Sequence, residues 1–347
     1  MQLNLRENFR RSLSVYSHSA PHDVAVAGDL CVDLVFPKSH RLPKPGGELS
    51  TTSAEKRVGG SSGITAMQLA TLGNNVVLIG NIGEDQEGRW LKSNFESAGV
   101  DTSKINQHPG VDTGKSFVVP LKNDRSFITV IGANARPIRL ASLKAHALIV
   151  TAFFQAPGLH AGAFAKDLER FKSAGGIVAL DCNHDSSGVW FKKIKPVLAA
   201  TDVFYPNQKE FDKLMRTSDS SPWNWGPKTI VVKEQQNGAT LFDLSAPKKR
   251  RLPLGVIPYL ALRAMRKPAV LGSQKTKVYG VPVGRFVDSN GAGDVWGATY
   301  VDALLKTGDK HFAVLAANVA GAISTTRTRK VVTREEIIQK IAELMST

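Results

Sequence analysis

The stretch VDSNGAGDVWGATYVDALL, residues 287–305, restricts the fold more than any other part of this 347-residue chain. It reads as a strand end, a tight turn and then a helix. Gly291, Ala292 and Gly293 have almost no side chain, so backbone can approach a ligand closely there. The first N–H groups of a helix lack internal partners, and the helix dipole adds partial positive charge at that end. Residues 291–294 therefore suit an anion such as a phosphoryl group. Asp294 adds a carboxylate at the same point, a group able to take a proton from an attacking hydroxyl. The alternative is an ordinary strand–turn–helix in which Asp294 is only a cap. This stretch alone does not separate the two.

The rest of the chain supplies the context. Apolar runs in DVAVAGDLCVDLVF (23–36), Val76 to Ile79, ALIVTAF (147–153) and GGIVALDCN (175–183) alternate with helix-like segments. That alternation predicts an α/β fold with a doubly wound, mainly parallel sheet, whose ligands bind beyond the carboxyl ends of the strands. Polar residues follow several of these runs. Asp33, with Asp29 as its near competitor, follows the break at Gly28; a carboxylate there can accept two hydroxyl hydrogen bonds. Asp181 and Asn183 end another run. Asn207 and Glu210 sit where a strand passes into a helix, either as a simple helix start or as oxygen donors near a hydrated Mg²⁺. Gly59 and Gly60 form a turn before a helical face of Ala66, Leu69, Ala70 and Leu72 that Gly73 terminates. Two hairpin-like segments, near 37–57 and 113–131, predict a small β lid, the second turning at Asn123-Asp124.

Asp288-Ser-Asn-Gly-Ala-Gly-Asp294 resembles the DTxGAGD signature of the ribokinase-like (PfkB) carbohydrate kinases, with Ser289 in place of the usual Thr. The Gly59-Gly60 turn and the Asn207-x-x-Glu210 pair match further family motifs in the correct order, so the resemblance covers residues 23–340 apart from one insertion. It implies an ATP-dependent kinase acting on a sugar or sugar-like alcohol. It assigns the catalytic base to Asp294 and the anion hole to Gly291, Ala292, Gly293 and Asp294. Substrate binding falls to Asp33, Gly59 and Gly60. Asn207 and Glu210 would order Mg²⁺ through water; Lys233, Gly238 and Asn318 would face ATP; Asp288 would help hold a monovalent cation, K⁺. The lid is also where the resemblance expects two copies of the chain to pair. Three departures bear on substrate and nucleotide: Ile64 stands where the family has Asn, Gln235 where it has Gly, and the Arg that usually follows the Asp181/Asn183 motif is absent. Two other readings remain: a nucleoside kinase of the same family, and a non-catalytic, sugar-responsive regulator that binds nucleic acid.

Composition bears mainly on that last reading. Nine of the fifteen net positive charges lie in residues 245–277, a segment with four prolines and no acidic residue that includes Lys248, Lys249, Arg250 and Arg251. The basicity thus belongs to one insertion rather than to the fold, which makes nucleic acid an unlikely partner of the kinase body. Residues 1–22 read as a disordered tail whose apolar core is too short for a secretory signal; Arg6, Arg10 and Arg11 with several serines offer a mitochondrial presequence as the alternative, against which Glu7 stands. Two cysteines, Cys31 and Cys182, offer no disulfide framework, and with no long apolar run the expected setting is cytoplasmic, away from membranes.

Overall fold

The computed structural model describes residues 2–19, 22–37, 39, 42–121, 125–160, 162–245, 275–328 and 330–346. The turn expected at Asn123-Asp124 and residues 246–274 of the insertion lie outside the described residues.

Strands β1 (Asp23–Ala27), β4 (Asn75–Gly83), β5 (Val100–His108), β8 (Ala147–Val150), β9 (Ile177–Leu180), β10 (Val203–Phe204), β11 (Thr229–Lys233), β12 (Ala239–Asp243) and β13 (Lys275–Val278) form one sheet. Their order is β13-β12-β11-β10-β9-β8-β1-β4-β5, parallel from β11 through β5, with β12 and β13 antiparallel at one edge. Alternate residues of β1 face opposite layers, as a strand requires. Val24 and Val26 enter the core shared with helices α2 (Ser61–Thr71), α7 (Ala292–Thr307), α8 (Lys310–Ser324) and α9 (Arg334–Ser346). Ala25 and Ala27 enter the core shared with α4 (Gly162–Ser173), α5 (Phe191–Ala199) and α6 (Gln208–Thr217). The chain leaves β1 in both directions, so the strand order reverses between β1 and β8. A ligand crevice belongs at the carboxyl ends of the strands there.

A second sheet, ordered β3-β2-β6-β7, is built from β2 (Cys31–Val35), β3 (Glu55–Gly59), β6 (Gly114–Pro120) and β7 (Arg125–Val130). It is the small sheet expected from the two hairpin-like segments, but its register differs from that expectation. Residues 42–54 carry no strand; β2 itself, expected as part of the first buried run, is a lid strand, which puts Asp33 opposite Arg57 of β3.

Three sequence expectations need correction. Residues 2–18 form helix α1 (Gln2–His18) rather than a disordered tail. Tyr16 is fully buried, edge-on to Phe312 with ring centroids 5.5 Å apart. Leu13 packs beside it, one helical turn away, so a short apolar stripe docks an otherwise polar helix. The insertion is also shorter than expected. Lys275 and Lys277 belong to β13, paired with Phe242 and Thr240 of β12. Finally, the approach to the glycine turn is not a strand: Val287 and Asp288 donate their N–H groups to Thr325 O, at 2.8 and 3.1 Å.

Candidate active site

Helix α7 begins at the carboxyl edge of the sheet, and its N-cap is Gly291, whose φ of 76° is the left-handed conformation that favours glycine. Asp294 is therefore the third residue of the helix and not its cap. Within the turn, the Ala292 N–H turns to Ser289 O (3.2 Å) and the Asp294 N–H to Gly291 O (3.1 Å). The Gly291 and Gly293 amides are the donors left for an anion. A methyl group built on Gly291 would lie 3.0 Å from Ile64 Cδ1, so the aliphatic side chain at that departure supports the underside of the turn. A methyl on exposed Gly293 would lie 3.7 Å from Lys233 Nζ, which puts an ammonium beside the cradle.

Asp294 keeps some surface open towards the turn, while its carboxyl group sits among protein atoms. Ser61, the first residue of α2, stands near it and favours its charged form. Ser61 Oγ accepts from Asn183 Nδ2 at 2.7 Å, which leaves its own proton free to donate. Asn183 also donates to Gln155 Oε1 at 3.0 Å and holds a φ of 56°, unusual for a residue with a side chain. Burial and then the charge of Asp181 push the Asp294 carboxyl well above its ordinary range, against the pull of Lys233. Lys233 Nζ lies 2.5 Å from Asp181 Oδ2. Burial opposes its charge, but Asp181, Glu210 and Asp294 together hold it above the usual lysine value.

Around the crevice stand more buried acids. Asp29, directly after β1, accepts from the Ser62 N–H at 3.3 Å, and burial raises it to about 7. Asp33 is raised to about 6, again chiefly by burial. It accepts from Asn290 Nδ2 at 2.9 Å, and a methyl on Gly59 would fall 1.9 Å from its Oδ1, so only glycine fits there. Gly60, at φ 75°, faces the backbone of Asp29 to Cys31. The lid sheet thus meets the signature turn at three successive residues: Arg57 reaches Asp288 (3.0 Å), Arg125 reaches Ser289 (2.6 Å) and Asp33 receives Asn290.

A profile of the pfkB family of carbohydrate kinases matches residues 21–335, nearly the whole chain. The chain belongs to that family. It is 22% identical to a Haemophilus influenzae ribokinase over 91% of its length and 97% of that protein's. It is 26% identical to a Geobacillus kaustophilus 5-dehydro-2-deoxygluconokinase over 65% of its length and 73% of that protein's. A Burkholderia thailandensis nucleoside kinase solved with inosine shares the fold at a TM-score of 0.75, with 15% identity over 93% of this chain and 99% of that one. The protein is thus an ATP-dependent carbohydrate kinase with a ribokinase-like fold.

For this kinase, the chemistry of the donor set can be compared with what Mg²⁺ requires. Asp181, Cys182 and Glu210 bring ligand atoms within 4.8 Å of one another. Mg²⁺ takes oxygen and keeps its waters, so the thiol contributes nothing. Asp181 Oδ1 is buried without a hydrogen-bond partner among the described residues, which fits a hydrated cation. Asn207 and Glu210 start a helix, as the simpler reading of their motif expects. They form a reciprocal helix cap, Asn207 N–H to Glu210 Oε2 at 2.9 Å and Glu210 N–H to Asn207 Oδ1 at 3.0 Å, and Glu210 is buried beside Asp181 rather than solvated. Burial and the Asp181 charge push the Glu210 carboxyl up.

The nucleotide-side residues are less uniform. Gly238 takes φ 88°, and a methyl there would lie 2.1 Å from Val278 O. Gln235, in the place of a family glycine, adopts φ 53°, so the turn keeps its left-handed conformation despite the side chain. Asn318 is held by its neighbours: its Oδ1 accepts from Trp296 Nε1 (2.8 Å) and its Nδ2 donates to Val278 O (3.2 Å) and Tyr279 O (3.0 Å). That side chain anchors the end of β13 to α7, with both amide donors engaged and one lone pair of Oδ1 in use. Sequence reasoning passed over Ser61, Arg57 and Arg125. Their partners are remote in sequence, and only the start of α2 just after the Gly59-Gly60 turn hints at Ser61.

Proposed function

We propose that this kinase transfers the terminal phosphoryl group of ATP to a hydroxyl of a sugar or sugar-like alcohol, with Asp294 as general base. One observation carries the reading. Asp294 is not the cap of its helix, yet it stands buried beside both the glycine turn and Lys233. A raised carboxyl is a better proton acceptor than a free one, and Lys233 keeps a fraction of it ionised. Asp33 and the Gly59-Gly60 backbone hold the acceptor. The Gly291 and Gly293 amides, with Lys233, receive the charge that develops on the transferred group. Asp181, Asn207 and Glu210 hold Mg²⁺ through water; when bound, it neutralises phosphate charge and aligns the transfer. Closure of the lid sheet over the acceptor, which the Arg57 and Arg125 contacts favour, excludes water.

The second reading is a nucleoside acceptor, and the departure at Ile64, where the family has Asn, makes plain ribose a less secure acceptor. Pairing of two copies through the lid is supported by exposed Phe127, Ile128 and Val130 on edge strand β7. Among the described residues no helix is long and apolar enough to cross a membrane. The regulator reading rests on Lys248–Arg251, outside the described residues.

The test is ADP release across a panel of aldoses, ketoses, sugar acids and nucleosides. One class should be turned over, and Asp294→Asn should lower kcat by about 10²–10⁴ while ATP binding persists. A wild-type protein that binds ATP and turns over no acceptor contradicts the proposal.

A further inference from the structure

Lys330 lies in the segment between α8 and α9, and its ammonium is enclosed by oxygen. Nζ donates to the main-chain carbonyls of Asp288 (2.8 Å), Arg327 (2.9 Å) and Ser324 (3.4 Å). The carboxylate Oδ2 of Asp288 stands 3.3 Å away. The side chain is only 11% exposed. Ser324 ends α8, where carbonyls have no intrahelical partner and the dipole is negative, so that end attracts a cation. Three carbonyls from separate points of the chain and one carboxylate, converging on a buried point, are the donor set of a dehydrated monovalent cation. Here a lysine nitrogen occupies the centre. The stem of Lys330 continues beneath the anion turn: a methyl on Gly291 would lie 3.6 Å from Lys330 Cγ. Asp288 has a second cationic partner in Arg57, at 3.0 Å. The expectation that Asp288 helps hold K⁺ therefore does not fit these residues, because the oxygen cage is already filled.

We propose that Lys330 is a built-in replacement for a monovalent cation. It binds the end of α8 to Asp288 and so positions the Gly291–Asp294 turn, and the kinase works without K⁺. Lys330 is a positioning residue: its stem supports the turn at Gly291, beside Ile64. The inference rests on the kinase reading for its kinetic arm but not for its binding arm.

The experiment uses the full-length protein and Lys330→Ala, which vacates the cage, in choline chloride against KCl at equal ionic strength. Melting temperature is read without substrate, and turnover with whichever acceptor the panel identifies. Wild type should show equal melting and equal turnover in both salts. Lys330→Ala in choline should lose roughly 10- to 100-fold in kcat, the scale of a lost set of charge-assisted hydrogen bonds. KCl or methylammonium chloride should restore much of it and raise the variant's melting temperature, because an ion that binds only the folded state stabilises it. A merely structural lysine would not be rescued by ions graded in radius. If wild-type turnover depends strongly on K⁺, or if a folded Lys330→Ala responds to neither ion in melting or turnover, the inference is overturned. Should Lys330→Ala not fold, the wild-type comparison of the two salts still decides the claim. Absence of any kinase activity would leave the melting arm intact and count against the catalytic reading alone.

Discussion

Helix α7 carries two acids about two turns apart, and they have opposite surroundings. Asp302 is fully enclosed. It is ion-paired to Lys306 and accepts from Asn74 Nδ2 at 2.7 Å, while Lys306 also donates to Asn74 Oδ1 at 3.2 Å. Tyr16 of α1 covers this cluster, with the Lys306 ammonium 5.9 Å from its ring centre. Asp294, at the other end, is buried and faces two further acids, Asp181 and Asp29, with Lys233 and nearby Ser61 to offset them. The C-terminal half of the helix pairs its acid with a base, although Asp302 Oδ2 has no hydrogen-bond partner among the described residues. Its first turn holds charge that the fold tolerates at a cost, the pattern of a site shaped for reaction rather than for packing.

The largest expected effect comes from breaking the ion pair at the far end. Asp302→Ala strands the Lys306 ammonium in the core and should cost about 3–5 kcal/mol in urea unfolding, with turnover per folded molecule unchanged. The double change Asp302→Leu with Lys306→Met should recover most of that loss. A single variant as stable as wild type would mean that the two ends do not differ as described.

A smaller effect sharpens the front end. Asp33 is raised to about 6, chiefly by burial, so it is protonated below that pH and can no longer accept two hydroxyl hydrogen bonds. The acceptor KM should rise as pH falls through this value, by roughly tenfold for one lost charge-assisted bond. Asp33→Asn should show a high and nearly flat KM profile; an unchanged profile would remove Asp33 from the acceptor site.

The smallest effect concerns the insertion, which belongs to neither end. Excising 246–274 and joining Ser245 to Lys275 through a short glycine-containing turn keeps the pairing of β12 with β13. Stability and turnover should then change little. Extending the cut through Lys277 removes most of β13 and should unfold that edge of the sheet. A folded but inactive 246–274 deletion would give the segment a role in catalysis.

Much of this was legible in the sequence, for identifiable reasons. Glycines announce close approach, so Gly59, Gly60 and the residue 291–293 turn mark the crevice before any coordinates do. Alternating strands and helices gave the sheet. What escaped was set by long-range pairing. Arg57 meets Asp288 because β3 pairs with β2 in one register, and no local pattern encodes that contact. Lys330 meets Asp288 only because α8 returns the chain to the signature turn. Basic composition hid β13, where Lys275 and Lys277 alternate with Thr276 and Val278 as a strand requires. Helix α1 was hidden by its polarity, since its docking depends on Leu13 and Tyr16 rather than on a continuous apolar face.

The most direct test of the central claim is the stability of wild type and Asp294→Asn measured against pH, with kcat taken on the same preparations. An unfolded Asp titrates near about 3.9, whereas Asp294 in the folded protein titrates well above that. Between those two values the folded state binds the extra proton, so wild-type stability falls as pH rises through the window. Asparagine carries no such charge. The account predicts that Asp294→Asn melts higher than wild type, that the gap widens with rising pH through that window, and that kcat falls by about 10²–10⁴. A variant that is no more stable than wild type at any pH and remains active would contradict it.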